Sequence, residues 1–375
     1  MPGDSTVTLA AHSSARPTHL QQGPTAHTTY RLIQVLRAVA AEMVVLRHAT
    51  TLLNVRDSKH FSVWFNGVNG VDIFFVISGF VMMISTTPLL DTLHPSRTFL
   101  ARRLERIVPM YWLATTVKVL ALLAVPTLAL TGLGRWWHVL ASYLFLPTRS
   151  PAGYGTVLSV GWTLVFEMAF YILFAVVLAT RLPRLLTLAP VLIVLAFASE
   201  IPFVTRHGTL HFYANTRQLE FLFGILLAAS IPWVRRIPAP LAILFAVAGF
   251  LPLLLWNLPT AFVAYGGIFN GIPALAVVTA AVALESPLGH RMPKWLLEIG
   301  DASYSIYLVH AFVLPLVCIP FARYGGHGSL ILPLALIVSL IVGTLAGDLA
   351  YRLIERPTMQ WFKGRRRSAI PANAR

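Results

Sequence analysis

Residues 32–53 read LIQVLRAVAAEMVVLRHATTLL, an apolar run that carries Arg37, Glu42, Arg47 and His48. A helix needs about 20 predominantly apolar residues to cross the hydrocarbon core of a bilayer, and this run is long enough. Nine further runs of similar character follow along the chain. We therefore predict an all-α polytopic membrane protein with about ten transmembrane helices.

The charges between these runs predict an orientation. With the N-terminus inside, most Lys and Arg residues between spans fall on the inner side, as the positive-inside rule requires. Both termini are therefore expected in the cytoplasm. The stretch 136–147 is too short to cross and is expected to be interfacial or re-entrant. The other predicted spans lie near residues 70–86, 107–130, 158–180, 185–201, 217–234, 239–256, 261–284, 302–322 and 329–353.

The composition excludes most other classes of protein. Hydrophobic residues make up 57% of the 375 residues and charged residues 11%, too few for the surface of a soluble domain, where about 25% is usual. The single cysteine, Cys318, excludes a disulfide scaffold and a cysteine-based zinc or iron–sulfur site. The net charge of +15 would suit nucleic acid, but it lies in short gaps between apolar runs. That pattern indicates an anionic membrane surface instead.

The ends of the chain are polar. Residues 1–30 lack the apolar core of a signal peptide and are expected to be a disordered cytoplasmic tail. A transmembrane domain is predicted over 31–357 and a basic cytoplasmic tail over 358–375. We expect no C-terminal catalytic domain, because so few residues follow Arg356.

Arg37 and His48 form the sharpest candidate pair. They are eleven positions apart in the first span, which is three helical turns plus about 20°. Both therefore lie on one face, roughly 16 Å apart along the axis, with His48 in the outer half. An ionisable residue in a span faces the protein interior or a water-filled cavity, so we interpret both as functional. The alternative is an interhelical hydrogen-bonding histidine and a snorkelling arginine.

Two carboxylates are predicted at the depth of His48. Asp72 lies at the start of the second span, and Glu167 lies about two turns into the fourth, after Trp162. A carboxylate beside His48 would orient the imidazole and raise its basicity, so both are candidate catalytic residues. For Asp72 the alternative is a helix cap at the interface. Trp162 is a candidate for a pocket wall.

A polar stripe is predicted in the ninth span. Tyr304, Tyr307 and His310 are three residues apart and share one helix face. They are candidates for lining a pocket, and interhelical hydrogen bonding is the alternative.

A basic segment precedes the third span. Arg102, Arg103 and Arg106 have the spacing of one helical face at the cytoplasmic surface. Arginine suits bidentate contacts to phosphate, and the alternative is an anchor to lipid phosphates.

Taken together, these segments resemble the membrane-bound acyltransferase-3 family. A basic residue, ten intervening residues and a histidine in the first span are the hallmark of that family, and Arg37 and His48 match it. Similarity to the exopolysaccharide O-acyltransferase branch lies in LRAVA (36–40) and WTLVFEMAFY (162–171), although many relatives carry Glu-Glu where this chain has Glu167-Met168. Other family blocks match at GVDIFFVISGF (70–80), RRLERIVPMYW (102–112), SYSIYLVH (303–310) and ERP (355–357).

The resemblance implies a site and its substrates. It implies transfer of an acyl group, expected to be acetyl, from cytoplasmic acyl-CoA to a hydroxyl of a surface or exported carbohydrate. In this reading His48 is a general base or carries the acyl group, and Asp72 or Glu167 orients it. Acyl-CoA is a co-substrate, and no bound cofactor or metal is expected. The groups expected to bind acyl-CoA are Arg37, Arg102, Arg103 and Arg106.

The resemblance also implies a location and partners. We expect a multi-pass protein of the bacterial cytoplasmic membrane that contacts membrane lipids and a carbohydrate or lipid-linked glycan, with no nucleic acid. A separate extracytoplasmic protein could complete the transfer. Two alternatives stay open: an acyltransferase for a small glycoside such as a macrolide sugar, and a glycolipid or drug transporter. The transporter would predict broken helices or repeat symmetry.

Overall fold

Helices make up most of the part of the chain that the structure describes. A computed structural model describes residues 30–56, 61–124, 135–150, 153–324 and 330–368. The α-helices within those residues are α1 (Arg31–Arg56), α2 (Gly70–Thr86), α3 (Pro95–Ala124), α4 (Trp136–Tyr143), α5 (Trp162–Thr180), α6 (Arg184–Phe197), α7 (Pro202–Arg206), α8 (Gly208–Tyr213), α9 (Gln218–Ala229), α10 (Ile231–Val234), α11 (Ala239–Leu255), α12 (Gly266–Phe269), α13 (Gly271–Leu288), α14 (Lys294–Tyr324), α15 (Ile331–Ala350) and α16 (Arg356–Ser368).

Short elements join some of these helices. An antiparallel hairpin pairs β1 (Thr148–Ser150) with β2 (Gly153–Gly155). A 3₁₀ turn, Ser159–Gly161, then leads into α5, and a second, Phe65–Asn69, leads into α2. A π turn, Tyr351–Glu355, joins α15 to α16.

The chain is an all-α multi-pass membrane protein. In the part of the chain that the structure describes, six segments are long and apolar enough to cross a membrane. Four of the ten predicted spans are not among them. Helices α6, α9 and α11 have 14, 12 and 17 residues, fewer than the ~20 that a span needs, and α1, with 26 residues, is less apolar because of its charged side chains. Ten spans and cytoplasmic termini stay predictions. The six segments are Phe65–Leu89, Pro95–Ala124, Ser159–Thr180, Gly266–Arg291, Lys294–Tyr324 and Ile331–Arg366.

Several predicted boundaries shift. Helix α3 begins at Pro95, well before the predicted residue 107, because the Arg- and Leu-rich segment is itself helical. Residues 125–130, the predicted end of that span, lie outside the described residues, as do residues 1–29. Part of the predicted basic tail forms α16, whose Arg366 pairs with Glu105 of α3 at 2.6 Å.

Helix α1 lies at the centre of the bundle and packs against α2, α13, α14 and α15. Its N-terminus is capped from α13, where the Glu285 carboxylate accepts hydrogen bonds from the backbone N–H groups of Arg31 and Leu32 at 2.9 and 2.8 Å. A carboxylate there satisfies orphan donors and complements the helix dipole. This contact fixes α1 at its N-terminal end.

Helices α1 and α2 are staggered. The Tyr30 and Phe80 rings meet at 5.2 Å, and Gly70 lies directly against the backbone of Ala40. A Cβ at Gly70 would lie 2.3 Å from the Ala40 carbonyl oxygen, so glycine is required for this approach. Helix α2 thus starts level with Ala40, and His48 lies eight residues, or about 12 Å, farther along α1.

Helices α2 and α9 also approach closely, through paired glycines. A Cβ at Gly79 would lie 2.1 Å from the carbonyl oxygen of Phe221, and a Cβ at Gly224 would lie 2.1 Å from that of Val76. Small residues that let backbones approach are the usual means of packing helices in membranes. This contact positions the start of α9 beside the start of α2.

Candidate active site

A cavity of about 90 Å³ lies inside the bundle between α1, α2, α3, α5 and α14. We call it the central cavity. Arg37 comes from α1, Arg106 from α3 and Glu167 from α5, while Tyr304 and Tyr307 come from α14. Five residues singled out in the sequence therefore line one space. The rest of its lining is Val71, Phe74, Phe75, Ile107, Thr163, Leu164 and Ser303.

Hydrogen bonds hold the cavity walls in place. Arg37 Nη1 donates to Gln34 Oε1 at 3.0 Å, and the Tyr304 hydroxyl donates to the Ile107 carbonyl of α3 at 2.8 Å. Glu167 Oε1 accepts hydrogen bonds from Ser78 Oγ at 3.3 Å and from the Tyr171 hydroxyl. These contacts join α14 to α3 and α5 to α2, while the bond of Arg37 lies within α1.

The cavity is rich in cations. Arg37 interacts electrostatically with Arg106, Glu167, Asp301 and Glu355. The charged residues of the cavity lining are two arginines, Arg37 and Arg106, and one carboxylate, Glu167. Two guanidinium groups that face one enclosed space favour an anionic or strongly polar ligand.

Glu355 lies buried beside these cations. Its side chain is 3% exposed, and its Oε2 accepts a 2.6 Å hydrogen bond from Ser305 Oγ. Its Oε1 has no hydrogen-bond partner among the described residues. The sequence pointed to Glu355 only as part of the closing ERP block.

His48 is paired with His310. His48 Nδ1 lies 2.9 Å from the Val44 carbonyl oxygen and 3.3 Å from His310 Nε2, and His310 Nδ1 lies 3.1 Å from the Ile306 carbonyl oxygen. A carbonyl only accepts, so in the neutral rings both Nδ1 atoms carry the proton. His310 Nε2 then accepts from His48, and His48 Nε2 keeps its lone pair.

The histidine pair adjoins the central cavity. Tyr307, which lines the cavity, lies one turn from His310 on α14, and their rings are 5.9 Å apart. His48 is partly exposed, whereas His310 is fully buried. Arg37 therefore lies at one end of the central cavity, and His48 lies outside the cavity, beyond Tyr307 and His310.

Neither predicted carboxylate lies at the depth of His48. Asp72 faces Arg217, at 3.9 Å, and Glu220 on α9, while Glu167 faces Ser78 and lies beside Arg37. The prediction of a common depth is wrong because it assumed that each helix starts at the membrane surface. Helix α2 starts level with Ala40 instead. The residue that adjoins the His48 ring is His310.

The predicted basic face of α3 is split. Arg106 lines the central cavity, and Arg102 is exposed. Arg103 Nη2 donates to Ser85 Oγ at 2.8 Å, and its guanidinium lies over the rings of Phe99 and Tyr171. The three side chains therefore do not form one exposed surface, because α2 and α5 pack against the middle of the segment.

Trp162 lies away from the central cavity, next to a group that the sequence reading missed. The Arg217 guanidinium lies 5.3 Å from the centre of the Trp162 ring and contacts Asp72. Asp72 and Glu220 are both almost fully buried. Arg217 and Glu220 lie at the start of the predicted span 217–234, and this was the sequence signal for the group. Ionisable residues inside a span are costly unless they have a role.

Comparison with known proteins shows the family of this chain. A family model described as "Acyltransferase domain" matches residues 31–352. The chain is 36% identical to the exopolysaccharide production protein ExoZ of Rhizobium meliloti (strain 1021), over 84% of this chain and 95% of that protein. No solved structure matches the chain significantly.

Two longer relatives are described as O-acetyltransferases. The O-acetyltransferase OatA of Staphylococcus aureus (strain NCTC 8325 / PS 47) is 28% identical over 86% of this chain and 56% of its own length. The putative peptidoglycan O-acetyltransferase YrhL of Bacillus subtilis (strain 168) is 27% identical over 78% of this chain and 51% of its own. The chain thus spans about half of these two proteins. With the match across residues 31–352, this chain belongs to the acyltransferase domain family and is an acyltransferase.

Proposed function

We propose that this protein moves an acetyl group from cytoplasmic acetyl-CoA to a hydroxyl of a surface or exported carbohydrate. The names of the relatives support this choice, since one is described by exopolysaccharide production and two as O-acetyltransferases. The acceptor, free or lipid-linked, and any extracytoplasmic protein that takes over the acetyl group belong to the same proposal.

The arrangement of His48 carries the proposal. Its Nδ1 is occupied by the Val44 carbonyl and His310, which leaves the Nε2 lone pair as a base. In the reaction, the acceptor oxygen bonds to the thioester carbonyl carbon while its proton passes to His48 Nε2. The carbon–sulfur bond then breaks, and the imidazolium returns the proton to the CoA thiolate. Transient acylation of Nε2 is the variant of this step.

The donor enters at the central cavity in this proposal. Arg37 and Arg106 contact the polar arm or phosphates of CoA, and the exposed Arg102 contacts phosphate at the surface. A cavity of 90 Å³ is smaller than the ~300–1,000 Å³ usual for ligand sites. Donor binding therefore requires the walls around Tyr304 and Tyr307 to part. The thioester then points along α1 toward His48.

This route requires one orientation in the membrane. The N-terminal end of α1 faces the cytoplasm, where acetyl-CoA is made, and His48 lies toward the outer side. Arginines at that end support the orientation through the positive-inside rule. The protein is placed in the bacterial cytoplasmic membrane on the same grounds.

Replacement of His48 tests the proposal. Purified protein in proteoliposomes is given [¹⁴C]acetyl-CoA on the side of the α1 N-terminus and carbohydrate acceptor on the other side, and labelled ester is counted. His48→Ala removes the base, and we expect transfer to fall by about 10²–10⁴-fold. His290→Ala, an exposed histidine in the turn after α13, is the matched control and should retain transfer.

Two results would contradict the proposal. Unchanged transfer by His48→Ala, at equal protein level and thermal stability, would remove His48 from the reaction. Movement of a glycolipid across the bilayer by the unchanged protein without any labelled ester would favour a transporter instead.

A further inference from the structure

A second concave site lies on another face of α5. This space, of about 560 Å³, opens between the β1–β2 hairpin, the start of α5 and the segment α7–α9. We call it the aromatic cleft. Its size falls in the range of ordinary ligand sites. Its lining is Gly153, Tyr154, Gly155, Thr156, Ser159, Trp162, Phe166, Thr205, Gly208, His211, Phe212, Asn215 and Arg217.

The lining combines aromatic rings with neutral or cationic polar groups. Four rings, Tyr154, Trp162, Phe166 and Phe212, share the space with hydroxyl, amide, imidazole and guanidinium groups. No carboxylate belongs to this lining within the described residues. A lipid chain would leave the polar groups unpaired, whereas a sugar offers C–H faces to the rings and hydroxyls to the polar groups.

Arg217 lies in the wall of the cleft, between Asp72 and Trp162. Its Nε lies 3.9 Å from Asp72 Oδ1, and its guanidinium lies over the Trp162 ring at 5.3 Å. Glu220, fully buried, interacts with both Asp72 and Arg217. These contacts place the guanidinium in the wall of the cleft, where its Nε has no hydrogen-bond partner among the described residues.

The opposite wall is also fixed. Gly208 packs directly on the Tyr154 ring, so that a Cβ there would lie 2.1 Å from ring atoms. Tyr154 itself is 44% exposed, so much of the ring remains available to a ligand. His211, one turn along α8, is exposed at the same cleft.

The start of α5 connects the cleft to Tyr307, which lies next to the histidine pair. Tyr307 donates a 2.7 Å hydrogen bond to the Val160 carbonyl, and its hydroxyl lies 2.7 Å from Thr163 Oγ1. Ser159 and Trp162, which flank Val160, line the cleft, and His310 lies one turn from Tyr307. One turn of backbone therefore separates the cleft from Tyr307, and His310 and His48 follow beyond Tyr307.

We propose that the aromatic cleft binds a sugar residue of the acceptor glycan and thereby directs a hydroxyl farther along the glycan to His48. This inference rests on the proposed function. The chemistry of the lining selects a neutral or acidic sugar over a cationic one. Stacking on Tyr154 and hydrogen bonding to His211 would hold the sugar ring.

Kinetics with the reconstituted enzyme test this assignment. The acceptor is surface polysaccharide from the cells that make this protein. Mild alkali removes its esters, and limited acid hydrolysis cuts it to oligosaccharides. We expect His211→Ala and Tyr154→Ala each to raise the KM for this acceptor about fivefold, the loss of one hydrogen bond or one stacked ring. The KM for acetyl-CoA should not change.

Two matched variants separate binding from damage to the fold. His207→Ala removes an exposed histidine four residues before His211 that is not part of the lining, and it should keep the acceptor KM of the unchanged enzyme. Tyr154→Phe keeps the ring and should restore most of the affinity that Tyr154→Ala loses.

The outcomes distinguish this inference from the proposed function. If the unchanged enzyme transfers acetyl but His211→Ala and Tyr154→Ala keep the acceptor KM of His207→Ala, the cleft is not the acceptor site. If the unchanged enzyme transfers no acetyl to any oligosaccharide, the proposed function itself fails. An equal rise in both KM values would also overturn the assignment, because it would indicate general distortion.

Discussion

The central cavity and the aromatic cleft lie on different faces of α5 and differ in charge. Arg37 and Arg106 face the central cavity with one carboxylate, Glu167, in its lining. The cleft lining holds one arginine, Arg217, and no carboxylate within the described residues, while Asp72 and Glu220 lie buried behind Arg217. Two guanidinium groups can contact one anionic ligand at the cavity, whereas the cleft offers a single guanidinium beside aromatic rings.

The two sites also differ in the volume that is open to a ligand. The cavity, at about 90 Å³, must widen to admit a ligand of the size of the CoA arm, whereas the cleft, at about 560 Å³, is already open. We infer that donor binding involves a conformational change around α14 and that acceptor binding does not. Variants of the arginines at the two sites test this contrast.

Arg217→Ala should have the largest effect on stability. It removes the cation nearest to the buried Asp72 and Glu220, and because Arg217 is partly exposed and lies 3.9 Å from Asp72, we expect a cost of about 1–3 kcal/mol. We expect a clear fall in the thermal unfolding midpoint of the protein in detergent. The exposed Arg206→Ala is the control and should unfold like the unchanged protein. Equal midpoints for the two variants would show that Arg217 is not a structural cation.

Arg106→Ala should act on donor binding rather than on stability. Loss of one charge-assisted hydrogen bond, worth about 1.5–3 kcal/mol, predicts a rise of roughly tenfold or more in the KM for acetyl-CoA. The acceptor KM should stay the same. Steady-state kinetics in proteoliposomes measure both values. A rise in the acceptor KM alone would reverse our assignment of the two sites.

Arg102→Ala should have the smallest effect. Its guanidinium is exposed at the surface, where an ionic contact contributes about 0–1 kcal/mol. We expect the KM for acetyl-CoA to rise no more than about fivefold, and the rise should shrink at high ionic strength. Kinetics at two salt concentrations check this. A rise as large as that of Arg106→Ala would place Arg102 at the donor site rather than at its entrance.

Sequence reasoning identified most of the polar lining of the cavity but not its arrangement. Arg37, Glu167, Tyr304 and Tyr307 were recognised as ionisable or polar groups inside apolar runs and Arg106 as part of a basic surface segment, and all five line one space. The same rule was not applied to the start of α9, so Arg217 and Glu220 were missed. The hairpin and the short helices α7 and α8, which build the cleft, carry no periodic pattern long enough to predict.

The sequence by itself determined the all-α membrane architecture, because long apolar runs can satisfy their backbone hydrogen bonds in lipid only as helices. It also determined that Arg37 and His48 share a face, since helix geometry fixes that spacing. Only the tertiary structure decided which residues meet. Glycine contacts at Gly70 and Gly79 slide α2 along α1 and against α9, and this places Asp72 beside Arg217 and leaves His310 beside His48.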